Sequence, residues 1–176
     1  MKVWQCDSGS GLAIGLRRTF KGKPVGRSDS TFMALKVWSS VGAVVVCNVH
    51  IPHASTKVAM ALVGNHLRAI SRMGLPVLIL GDWNQVPEVV DCESRRWGLG
   101  ASRVPVKGRG ETWNGYFATG RRWTAIDHVV QLNGARTGKM KVIRRHTESD
   151  HWPVRLPVTL EGGGIQEPPM ISRWAV

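Results

Sequence analysis

"LPVLILGDWN", Leu75 to Asn84, is the stretch that decides the fold. Its apolar run is too short for a helix of ordinary length and too continuous for a strand wetted on one face. It reads as a buried strand that stops abruptly in polar residues. "AVVVCNVHIPH", Ala43 to His53, has the same form: a β-branched, nearly unbroken run that ends in His50 and His53. Between the two, Ser55 or Thr56 can cap a helix with Ala59, Leu62, Val63, His66, Ile70 and Met73 roughly on one face. Gly74 and Pro76 then stop it. A helix crossing between two buried strands argues for a layered α/β protein built on sheets.

Working outward, "GLAIGLRR" (11–18), "STFMALKVW" (30–38), "ETWNGYF" (111–117), "WTAIDHVVQL" (123–132) and "HWPVRLPVTL" (151–160) read as further strands. Pro87 to Gly110 is basic and Gly-containing, and is expected to be a long irregular surface segment. The reading places one domain at 1–160 and a Gly/Pro-rich tail or linker at 161–176. No internal repeat is visible.

The chain has 176 residues, 43% of them hydrophobic, enough for one real core. Lys and Arg total 24 against 12 acids, a formal charge of +12. That excess points to a polyanionic partner, most simply nucleic acid. Cys6, Cys47 and Cys92 are isolated and odd in number, which argues against a zinc site or a disulfide framework. The N-terminus carries no long apolar stretch, so the expectation is an intracellular protein, nuclear or cytoplasmic, with no secretory signal and no membrane span.

The chemistry is expected where apolar strands run into polar clusters. His50 and His53 follow one strand, and Asp82, Trp83 and Asn84 follow another. Asp127 lies in "AIDHV", and Asp150 and His151 lie in "TESDHWP". A carboxylate beside a core strand needs a partner, because burying it alone is costly. Taken singly each has an ordinary explanation. Asp82 suits a turn cap, Asp127 a salt bridge, and the histidines suit loops. Together they suggest one shared site at the edge of the sheets. His66, His128 and His146 are read as structural.

The series "HIPH", "GDWN", "TWNG", "IDHV" and "SDHWPV", in that order, resembles the endonuclease/exonuclease/phosphatase superfamily, over residues from about Gly9 to Val158. The resemblance implies a four-layer sandwich, with two mostly antiparallel β-sheets packed face to face and helices outside. It implies that Asp82 activates the attacking water, that Asn84 holds water or phosphate, and that His151 contacts the scissile phosphate. Asp127 would fix that imidazole and Asp150 would serve the metal, Mg²⁺ or Mn²⁺. His50 falls where some members carry an active-site His, and His53 departs from an Asn of others. Thr112 and Trp113 match a strand motif that supports the site. Trp83, Trp113, Arg121 and Arg122 are candidate substrate-binding residues, with a core role also open to Trp113. Trp97 is a further candidate for stacking on bases.

Family members begin with a strand–helix–strand portion that ends in a Gln-Glu pair, whose Glu is a principal metal ligand. No such pair precedes Gly9, where Asp7 is the only acid. The expectation is therefore an N-terminally truncated fold, with a sheet that another chain could complete. Three functions stay open: a metal-dependent DNA or RNA endonuclease or a fragment of one, retroelement-derived; an inactive remnant that binds nucleic acid or serves a structural role; and a phosphatase of the same superfamily.

Overall fold

The computed structural model of the chain describes residues 1–6, 12–117, 120–144 and 149–160, with the side chains of 116, 117 and 120–122 outside that description. The tail expected at 161–176 and His146 also lie outside it. The elements run β1 (Lys2–Gln5), β2 (Ala13–Leu16), β3 (Lys21–Pro24), β4 (Phe32–Ser39), β5 (Gly42–His50), α1 (Thr56–Ser71), β6 (Val77–Asp82) and α2 (Pro87–Arg96). Then follow β7 (Ser102–Arg103), β8 (Trp113–Phe117), β9 (Gly120–Thr124), β10 (Asp127–Leu132), β11 (Arg136–Thr137), β12 (Lys141–Val142), β13 (Val154–Arg155) and β14 (Val158–Thr159).

One mixed sheet organises the chain, in the order β3-β4-β5-β6-β10-β7. β5 and β6 are parallel, and the other pairings in this sheet are antiparallel. A parallel pair needs a long crossover, and α1 supplies it. Pairs β1-β2, β8-β9, β11-β14 and β12-β13 form separate two-stranded pieces.

The unbroken apolar runs have a direct cause: the sheet is covered on both faces, and successive side chains feed different cores. Val45, Cys47, Val49, Val77 and Ile79 pack with Ala59, Met60, Val63, Leu67 and Ile70 of α1. Met33, Leu35, Val37, Val44 and Leu78 face the other way, against Leu12 and Ile14 of the β1-β2 side. Leu156 and Leu160 also reach this second core.

Several expectations are corrected. Pro87–Gly110 is not irregular throughout, because α2 occupies its first part. Pro87 suits a first helical turn, where its missing N–H costs nothing. Only Val90 and Ser94 of α2 are buried, so the apolar stripe is too narrow to stand out among charges. The face of α1 is rotated from the expected one. Leu62 and Met73 are exposed, while Met60 and Leu67 are buried. "WTAIDHVVQL" breaks at Ala125–Ile126 into the ends of two strands, and "HWPVRLPVTL" yields only β13 and β14. Pro153 and Pro157 cannot donate to a ladder, which shortens that pairing. β1, β3, β7, β11 and β12 are short strands that the sequence did not announce. Among the described residues, no helix is long and apolar enough to cross a membrane.

Candidate active site

The site grows from strand register. Parallel pairing sets His50 of β5 beside Asp82 of β6. Antiparallel pairing sets Asp127 of β10 on the other side of Asp82. Three neighbouring strands therefore present an imidazole and two carboxylates at one edge of the sheet, outside the carboxyl ends of β5 and β6, where open α/β sheets bind ligands.

Local geometry explains the residues of "GDWN". Gly81 has φ +145°, and a Cβ there would sit 1.9 Å from the carbonyl oxygen of Val49. Only glycine lets β6 approach β5 this closely. Asn84 takes a left-handed φ of 48°, a conformation to which asparagine is among the best suited. The turn is locked by Asn84 itself. Its backbone N–H donates to Asp82 Oδ1 at 2.9 Å, and its Nδ2 donates to the Ile51 carbonyl at 2.9 Å and to Asp82 Oδ2 at 3.2 Å. In this structure Asn84 thus orients Asp82.

His151 comes from a different part of the chain. An isolated bridge pairs it with Trp113. Its Nδ1 lies 2.9 Å from Asp127 Oδ2, and its Nε2 lies 3.9 Å from Asp82 Oδ2. The first is a hydrogen bond. The second is too long for one, so Nε2 and Asp82 both keep capacity for a third group between them. The hydrogen bond to Asp127 is the main reason the His151 pKa is raised. Burial opposes it, and the charges of Asp127, Asp82 and Asp150 add to it. The pKa of Asp82 is also raised, chiefly because burial disfavours the charged form. The Asn84 N–H works against this and the nearby Asp127 charge works with it.

Behind Asp127 stands Thr112, which is buried. Its hydroxyl oxygen accepts the backbone N–H of Ile126 at 3.2 Å and of Asp127 at 3.0 Å. Its carbonyl accepts the Trp152 N–H at 2.7 Å. One threonine thus ties the acid strand to the imidazole segment.

The structure brings Asp82, Asn84, Asp127 and His151 together, with His50 beside them, and Trp113 and Asp150 adjoin His151. Trp83 is corrected: it is fully buried, and its Nε1 donates to the His128 carbonyl at 3.0 Å. The Trp83 N–H is bound by the Ile126 carbonyl at 2.9 Å, so the side chain turns inward, where its ring stacks on Trp97 at 6.1 Å. Neither Trp83 nor the equally buried Trp97 can reach a substrate. His53 is exposed in a 3-10 turn past β5. The indole of Trp113 donates to Asp150 Oδ2 at 2.9 Å. Arg121 and Arg122 lie in β9, and their side chains are outside the described part. His66 stacks on Phe32 at 4.7 Å and bonds Asp29 at 2.8 Å, and His128 is buried with Nε2 2.8 Å from the Gln85 carbonyl oxygen.

Mg²⁺ and Mn²⁺ would ask for oxygen donors from carboxylates. Among the described residues, no three His, Cys, Asp or Glu side chains are arranged to hold a metal ion. Asp127 is engaged by His151 and Asp150 by Trp113. Mg²⁺ takes as few as one or two protein carboxylates and keeps several waters, and Asp150, whose Oδ2 accepts the Trp113 indole N–H, keeps a second carboxylate oxygen for such an ion.

The fold is like that of solved endonuclease/exonuclease/phosphatase family proteins. In particular, the chain is similar to the endonuclease domain of TRAS1, a telomere-specific non-LTR retrotransposon, at TM-score 0.70 and 10% identity, over 90% of this chain and 80% of that one. It is similar to TDP2 from Caenorhabditis elegans at TM-score 0.68 and 16% identity, over 89% of this chain and 57% of that one. An endonuclease/exonuclease/phosphatase family protein from Bacteroides thetaiotaomicron matches at TM-score 0.57 and 18% identity, over 74% of this chain and 55% of that one. The chain thus spans little more than half the length of the last two. No family model and no curated protein matches the sequence.

Proposed function

We propose that this chain carries a phosphodiester-hydrolysing site directed at nucleic acid. The observation that supports this most is the line Asp127–His151–Asp82, in which one imidazole hydrogen-bonds a carboxylate through Nδ1 and faces a second across 3.9 Å through Nε2. Asp127 fixes the ring tautomer and supports positive charge on it. Nε2–H then donates to a phosphate oxygen as negative charge builds on phosphorus. Asp82, whose raised pKa makes it a stronger base than an ordinary carboxylate, takes the proton of the attacking water as the water oxygen bonds phosphorus, the P–O bond to the leaving sugar oxygen breaks, and that oxygen gains a proton from solvent. Asn84 keeps Asp82 aimed. The net charge of +12 favours a polymeric anion over a small phosphate ester, and so a nuclease over a phosphatase. The two-stranded pieces behind the main sheet are read as the second β-layer of a four-layer sandwich.

Binding without cleavage is the second reading, which the net charge of +12 supports equally. Nicking of supercoiled plasmid with and without Mg²⁺, by wild type, Asp82→Asn and His151→Ala, decides between them. The hydrolytic reading expects nicking by wild type that both variants lose while keeping their fold. Nicking untouched by either variant would contradict it. Plasmid binding with no nicking by wild type would favour the second reading.

A further inference from the structure

The residue after the imidazole is Trp152, and it belongs to a cluster that the hydrolytic site does not use. Its ring centroid lies 4.7 Å from that of Trp123, with the planes at 53°. The Arg144 guanidinium sits 4.3 Å over the Trp152 ring, and Glu111 holds Arg144 at 2.6 Å. Trp123 is 42% exposed. Three separate segments thus converge to brace an indole that stays at the surface. Trp113 is bridged to His151 and paired with Thr124, the residue after Trp123, so this cluster flanks the His151 site.

An exposed indole packed on a second ring that itself carries a guanidinium, on a chain of strong positive charge, matches what unpaired nucleobases stack on. β9, which carries Trp123, also carries Arg121 and Arg122. Stacking needs a free base face, which the interior of a duplex does not offer. We propose that Trp123, packed on Trp152, is a stacking platform for an unpaired nucleobase flanking the phosphodiester held at His151. The proposal rests on the nucleic-acid reading above, and it adds a preference for single-stranded or overhanging substrate.

The test uses two fluorescent probes of equal length in EDTA: single-stranded oligothymidylate, and an oligomer of abasic tetrahydrofuran sites with the same phosphates. Fluorescence anisotropy gives Kd for wild type, Trp123→Ala and Trp123→Phe. Wild type is expected to prefer the base-bearing strand by between about 5-fold and about 150-fold, the range of one base–aromatic stack. Trp123→Ala should erase that preference while leaving affinity for the abasic strand unchanged, and Trp123→Phe should keep most of it. Equal wild-type affinity for both strands overturns the platform and leaves the nucleic-acid reading standing. Failure of wild type to bind either strand overturns both. The wild-type comparison needs no variant to fold.

Discussion

The two halves of the candidate site are held very differently. Asp82 closes β6 and Asp127 opens β10, strands of six residues paired along their whole length and packed on the main core. His151 lies on the segment 149–160, whose regular pairing is limited to β13 and β14, two residues each. The carboxylates are thus set by the fold itself. The imidazole is set by an isolated bridge, by the Trp152 N–H on Thr112 and by the Asp127 bond. Preorganisation in this molecule is concentrated on the acid side, and the sparsely paired imidazole side is expected to open more easily.

Changes to the central half should therefore damage the fold, and changes to the peripheral half should damage the site. The largest effect is expected from Gly81→Ala, which drives a Cβ against the Val49 carbonyl. Its destabilisation in urea denaturation should exceed the roughly 3–5 kcal/mol typical of deleting a large buried aromatic. Trp83→Ala should fall within that range, since the indole is fully buried. A change under about 1 kcal/mol would return Trp83 to the surface and undo its removal from the substrate-binding set.

Thr112→Val probes the tie between the halves. It keeps the shape and strips the acceptor from two backbone N–H groups, at about 1–3 kcal/mol for each left unsatisfied. The account expects a clear loss of stability together with a fall in the His151 pKa, because Asp127 loses its placement. A loss of stability with His151 unmoved would leave Thr112 as packing only. Hydrogen exchange should be slower at β5 and β6 amides than at Val154 and Arg155, and equal protection would remove the contrast between the halves.

The pH dependence of stability is the smallest effect. A raised His151 pKa means that the folded state holds this proton more tightly than the unfolded one. The contribution is complete below the unfolded value of about 6.5 and is lost as pH rises through the folded value. Asp82, also raised, acts in the same direction from the ordinary carboxylate range upward. Denaturation midpoints of His151→Ala should show a flatter response across the upper window than those of wild type.

The acid side was also the legible side in sequence. Abrupt ends of apolar runs marked Asp82, Asn84 and Asp127, because a strand covered on both faces leaves no other place for a charge. Trp83 was misread for the same reason: an aromatic among polar residues looks exposed, and only the β6-β10 pairing turns it inward. The helix α2 was hidden, since so few of its residues are buried that no apolar period shows. The face of α1 slipped because Leu62 and Met73 lie beside the true stripe, whose members Met60 and Leu67 were passed over. Nothing local joins Trp123, Arg144 and Trp152, which meet only through the pairing of three segments.

In the proposed mechanism Asp127 and Asp82 together hold the His151 ring ready to carry a proton at the edge of the sheet. A ¹H–¹⁵N NMR titration of the His151 ring in wild type and Asp127→Asn tests it most directly. The account predicts a wild-type pKa above the ordinary 6.5, Nδ1 carrying the proton shared with Asp127, and a clear drop in the variant. A His151 that titrates at its ordinary value in both proteins would contradict it.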